Sequence, residues 1–164
     1  MVPQMQVPPH PPVRAGAVAH PTDVLTGEQV VEVLAAGLAG RVSGDRVLLV
    51  VPDHTRSVPL PGLFRALVEL LADAVTLDVL VALGTHPPVA AHQLDRLVDR
   101  GGAGSVAAGV ELVNHDWRGA ELMQVGTLSP ADLRRIAGEH WHPTLDDAVP
   151  VRVNRRVTEY DHVV

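Results

Sequence analysis

The chain has 164 residues, with 19 acidic and 13 basic side chains and a formal net charge of −6 at pH 7. Every basic residue is arginine, and neither lysine nor cysteine occurs. These absences exclude a Schiff-base or P-loop lysine, a thiolate nucleophile, zinc–thiolate ligation and disulfides. The acidic balance argues against a nucleic-acid surface, and aromatics at 2% offer no base-stacking platform. Val, Ala and Leu must therefore fill the core, and the length suits one domain with a tail.

Residues Met1 to Thr22 are proline-rich and lack the apolar segment of a signal peptide. They read as an extended, mobile arm. No apolar run is long enough to span a bilayer, so no membrane role and a cytoplasmic location are expected. Thr26 followed by Gln29 is a capping-box pattern, and Val30, Val31, Val33, Leu34 and Leu38 recur at helical spacing. A first helix is predicted over about 26–39.

Arg46 to Pro52 is a short apolar run closed by proline, predicted as a strand buried on both faces. Leu60 to Ala74 reads as an amphipathic helix with Phe64, Leu67, Val68 and Leu71 inward. Val75 to Leu83 is a second buried strand, Val89 to Arg100 a helix, and Val110 to Val113 a third strand. A further strand is expected at Glu121 to Val125, and a helix opens at Ser129-Pro130. Val149 to Val157 alternates as a half-exposed strand does, and His162-Val163-Val164 begins one more. Strands alternating with helices make an α/β fold: a mostly parallel sheet of Rossmann-like βαβ units with flanking helices.

Three polar clusters directly follow the first three strands: Asp53-His54-Thr55-Arg56, Gly84-Thr85-His86 and Asn114-His115-Asp116. In an open parallel sheet these strand ends lie along the ligand-binding edge, so the clusters are expected to converge. An arginine there can grip a carboxylate or phosphate, and a histidine can act as a general base near neutral pH. Singly, each has a plainer reading: Asp53 as a turn cap, Arg56 as a surface charge, His86 as a loop histidine, Asn114–Asp116 as a turn. No metal site is expected. His54, His86 and His115 lack close ligand spacing, and the His140–His142 pair falls near a loop. No GxSxG, GxGxxG or Walker sequence occurs.

The sequence Val51-Pro52-Asp53-His54-Thr55-Arg56, then Ala82-Leu83-Gly84-Thr85-His86, then Val113-Asn114-His115-Asp116, resembles the N-terminal domain of nickel-dependent lactate racemases. Val151 to Arg156 and Asp161 fit the same order, and the resemblance spans about residues 24–164. It implies a racemase that interconverts enantiomers of a 2-hydroxy acid by proton-coupled hydride transfer to a nickel-pincer nucleotide. By resemblance, His86 is one of two catalytic acid/base histidines. Arg56 and Asp53 bind substrate, and Asp53, Thr55, Gly84, Thr85 and His115 line the cofactor pocket. One departure is Pro87, which stands where many members have arginine.

The family's second catalytic histidine, its cofactor-attachment lysine and its nickel-ligand histidine match positions beyond Val164. Residues 23–164 are thus expected to be a truncated N-terminal domain, incomplete as an enzyme without a C-terminal half or second subunit. The alternative is a non-catalytic α/β module that binds a small anion at the strand ends.

Overall fold

A computed structural model describes residues 15–38, 40–142, 144 and 146–164. Most of the expected N-terminal arm, residues 1–14, lies outside the described residues, and so does Ala39 at the end of the predicted first helix. Residues 15–22 carry neither helix nor strand. The chain divides at Arg41 into two compact units.

The first unit holds α1 (Gly27–Leu38). Its start is the capping box expected from sequence: Gln29 N donates to Thr26 Oγ1 (3.2 Å), and Thr26 N donates to Gln29 Oε1 (2.9 Å). None of its residues is fully buried.

The second unit is built on a four-stranded parallel sheet in the order β3-β2-β1-β6. The strands are β1 (Arg46–Pro52), β2 (Thr76–Ala82), β3 (Glu111–Asn114) and β6 (His162–Val163). Between them run α2 (Leu60–Leu70) and α3 (Ala91–Leu97). Parallel pairing needs crossovers of this length, and the helices supply them. Val47, Leu48, Leu49 and Val51 of β1 pack with Val79, Leu80 and Val81 of β2 in the buried core. Phe64 and Val68 of α2, Leu71 just after it, and Leu94 of α3 complete it. Phe64 is the single aromatic there and is 1% exposed, so its truncation to Ala would cost about 3–5 kcal/mol.

Register sets the geometry of the site. Pro52 pairs with Ala82, so β1 and β2 end level and release their following loops side by side. Val50 departs from the expectation of a strand buried on both faces: it is 38% exposed.

Two of the expected strands do not join the parallel sheet. β4 (Leu122–Leu128) and β5 (Val149–Asn154) pair antiparallel as a separate ribbon, with a register shift between Gln124 and Gly126. Between them runs α4 (Pro130–Ala137), entered through a Ser129–Asp132 capping box with proline at its first position. β5 stops at Asn154, not at Val157 as predicted. The Asn154 side chain accepts the Arg156 amide (3.0 Å) and starts a 3-10 turn, Arg155–Thr158. That turn delivers the chain to β6, which extends the sheet beside β1 as the final apolar residues predicted. No helix among the described residues is long and apolar enough to cross a membrane.

Candidate functional site

The turn after β1 buries one carboxylate. Asp53 is 4% exposed, and both its oxygens are committed. Oδ1 accepts the Thr55 amide (3.0 Å) and the Thr55 hydroxyl (2.5 Å). Oδ2 meets His86 Nδ1 at 2.5 Å. The Thr55 hydroxyl, followed by His86, holds the Asp53 carboxyl well below the usual carboxylate range, outweighing the upward push of burial.

His86 reaches Asp53 because of the backbone after β2. Gly84 has φ +59, a left-handed conformation that side-chain-bearing residues resist. The turn closes with the His86 amide on the Leu83 carbonyl (3.0 Å). A carboxylate at Nδ1 places the ring proton there and leaves Nε2 as the free nitrogen. The ring is half exposed, and among the described residues Nε2 has no hydrogen-bond partner.

Arg56 stands on the same turn, its amide bonded to the Asp53 carbonyl (3.3 Å). Its side chain is exposed and has no ionic partner among the described residues. Asp53, Thr55, Arg56, Gly84, Thr85 and His86 line one cavity of about 240 Å³, floored by Pro52, Ala82 and Leu83. A cavity of this size takes a small molecule with a few heavy atoms. It offers one cation, one free imidazole nitrogen and an ionised carboxylate whose two oxygens are already hydrogen-bonded.

Two of the three strand-end clusters therefore converge, and the third does not line this cavity. Asn114 clamps the segment leading into α3: its Oδ1 accepts the Val89 amide (3.0 Å), and its Nδ2 donates to the Val89 carbonyl (2.9 Å). His115 Nδ1 lies 3.1 Å from Asn154 Nδ2, and its amide bonds the Val81 carbonyl (3.0 Å). Asp116 accepts the Arg118 amide within its own turn. The physical reason is that β3 is short and its polar end is spent holding its neighbours. His54, although beside Asp53, lines a different cavity with Val89, Gln93, Arg96 and Leu97. Among the described residues no three His, Asp or Glu side chains are placed to hold a metal ion.

Sequence reasoning passed over Asp78, a carboxylate inside the apolar run of β2. It is 7% exposed and accepts the Glu111 amide (2.9 Å) and the Tyr160 hydroxyl (2.5 Å). The signal was there: a charged residue in a buried strand needs partners. Burial, followed by Asp78, pushes the Tyr160 hydroxyl up to about 12.

Comparison with known proteins bears on this arrangement. No curated protein matches the chain. Its fold is similar to a structural-genomics crystal structure from Thermotoga maritima, at TM-score 0.70 and 24% identity over 85% of this chain. It is also similar to the lactate racemase apoprotein from Thermoanaerobacterium thermosaccharolyticum, at TM-score 0.53 and 18% identity over 74% of this chain. The matched part is 32% and 25% of those two chains, so this chain spans a third or less of their length. At these identities the likeness establishes the fold. A family model carries the relationship further, matching residues 26–136, the stretch that contains both converging clusters. By that match, the chain belongs to the lactate racemase N-terminal domain family.

Proposed function

We propose that this chain forms the substrate-holding wall of an enzyme that interconverts the enantiomers of a small 2-hydroxy acid. The observation that carries this is the meeting of Arg56 with the Asp53–His86 pair in one small cavity, within the family-matched stretch. Arg56 would take the substrate carboxylate in its guanidinium fork. The 2-hydroxyl would then lie toward His86, whose free Nε2 accepts its proton. Asp53, ionised and held by Thr55, stabilises the imidazolium that forms. Thr55 thus acts through Asp53, while Gly84 and Thr85 shape the wall.

Removing the hydroxyl proton is half of the chemistry, since inversion also needs an acceptor for the hydride on the adjacent carbon. In the family the acceptor is the nickel-pincer nucleotide. These residues do not fit that group by themselves: none of the 164 is a lysine, and no metal-holding cluster exists among the described residues. His115, expected in the cofactor pocket, is bonded to Asn154. The proposal therefore assigns this chain proton transfer and carboxylate binding. The hydride acceptor is assigned to a partner, either further polypeptide or a second subunit. Cytoplasmic location belongs to the same reading.

The missing lysine also favours a second reading, a module that binds small anions without turnover. Titration with D- and L-lactate, followed by NMR at the His86 ring, tests what both share. Both enantiomers should shift that ring, and Arg56→Ala should weaken binding at least about tenfold. Unchanged affinity in that variant would remove Arg56 from the site and overturn the proposal. Racemisation on adding a lysine-bearing partner half would separate the enzyme from the binding module.

A further inference from the structure

The third strand end does not line the cavity, yet it holds the segment that carries His86. Residues 83–90 connect β2 to α3. Near their start the turn is closed by the His86 amide on the Leu83 carbonyl (3.0 Å). Three residues past His86, Asn114 grips both polar groups of Val89: its Oδ1 accepts the amide (3.0 Å), and its Nδ2 donates to the carbonyl (2.9 Å). A two-point contact of this kind fixes rotation as well as distance, since each end of the carboxamide suits only one of the two partners. Asn114 is itself a fixed reference. It pairs with Val81 in the sheet, and the next amide, that of His115, bonds the Val81 carbonyl (3.0 Å).

Pro87 and Pro88 fill the interval between His86 and Val89. Neither can donate a backbone hydrogen bond, so Val89 is the first residue after His86 at which the segment can be pinned through an amide. Proline also locks its own φ and pushes the residue before it into extended backbone. His86 and Pro87 both precede a proline, so few torsions between His86 and Val89 stay soft. A displacement of Val89 is therefore passed on to His86 rather than absorbed. The His86 ring needs such support. It is half exposed, and its one hydrogen bond among the described residues is to Asp53.

We propose that Asn114 is a positioning residue for His86: it pins Val89, and the Pro87-Pro88 pair carries that constraint back to the imidazole that meets Asp53. The third polar cluster then serves the site without touching a ligand. The consequence for the reaction rests on the proposed function of His86, whereas the hold on the ring does not.

The test reads the His86 Nδ1 proton by NMR in the full chain without ligand, and then the affinity for D- and L-lactate. In Asn114→Ala that proton should exchange with solvent about fivefold faster or more, the weight of one residue's backbone order, and lactate should bind more weakly by a similar factor. Pro88→Gly, at an exposed position, leaves Asn114 intact but breaks the transmission, and it should reproduce both effects. The double variant should match the more affected single one, because both cut a single path. Asp78→Ala removes hydrogen bonds elsewhere in the sheet and controls for lost stability: neither readout should move. Unchanged exchange in Asn114→Ala overturns the inference. So does unchanged exchange in Pro88→Gly, which decides the matter alone if Asn114→Ala does not fold. Effects that multiply in the double variant, or equal acceleration in Asp78→Ala, overturn it as well. If lactate does not bind the wild type while Asn114→Ala still speeds the exchange, the proposed function fails and the hold of Asn114 on His86 stands.

Discussion

The two edges of the parallel sheet are both polar, and they use their polar groups in opposite ways. At the edge where the strands begin, each group closes on another. Arg46 pairs with Asp161 through two hydrogen bonds of 3.2 Å, Arg156 with Glu111 at 2.9 Å, His162 with Asp45 at 2.8 Å and Tyr160 with Asp78 at 2.5 Å. These contacts tie residues 156–162 to the starts of β1, β2 and β3. At the edge where the strands end, Asp53 and the β3-end residues Asn114, His115 and Asp116 are satisfied, but two groups after β1 and β2 are not. Arg56 and His86 Nε2 are left facing a cavity. A closed polar network adds stability and order, whereas an open one leaves groups that can bind. The difference sets the two edges apart without appeal to which residues are charged.

Substitutions at the closed edge should act on stability alone. The largest effect is expected from Asp78→Ala, which strands the Glu111 amide and the Tyr160 hydroxyl together. It should lower unfolding free energy by about 2–3 kcal/mol in urea melts, while lactate binding by the folded protein stays as in the wild type. A loss of binding in step with stability would erase the distinction between the edges.

Tyr160→Phe should cost less, about 1–2 kcal/mol near neutral pH, because only one donor to Asp78 is removed. It also sharpens the comparison through pH. The hydroxyl ionises at about 12 in the folded chain against 10.0 for an ordinary tyrosine, so the unfolded chain gives up its proton first. The stabilisation is fully present below pH 10 and is lost as pH rises toward 12. Alkaline unfolding curves of the wild type should show that decline, and Tyr160→Phe should lack this component. Identical curves would mean that the bond contributes nothing.

The smallest stability change is expected at the open edge. Arg56→Ala removes an exposed side chain with no ionic partner among the described residues, and should leave unfolding free energy within about 0.5 kcal/mol of wild type. A destabilisation comparable to that of Asp78→Ala would show that Arg56 is structural, and the site would lose its cation.

Much of the sheet was legible because its cause is local. β1 was read residue for residue over Arg46–Pro52, since an unbroken apolar run closed by proline has few other solutions. The Thr26 and Ser129 helix starts were legible for the same reason, as their capping partners lie three residues away. The strands at 122–128 and 149–154 were visible as strands but not as a separate ribbon. Alternation reports that one face meets water, and it carries no information about which sheet a strand joins. Asp78 was missed because its partners, Glu111 and Tyr160, are 33 and 82 residues away.

The candidate site divides in the same manner. From the sequence alone came the residue types, their positions after strands and the expectation that all three strand-end clusters converge, whereas the level ends of β1 and β2 that release the Asp53 and His86 loops side by side came from the structure. Only the tertiary structure decided that His115 turns to Asn154, that Asn114 clamps Val89, and that His54 lines a different cavity from Asp53. The existence and periodicity of strands and helices are repeating backbone properties that a pattern can announce. The direction of a loop side chain depends on which partner is within about 3 Å, and that partner is set by the packing of distant segments.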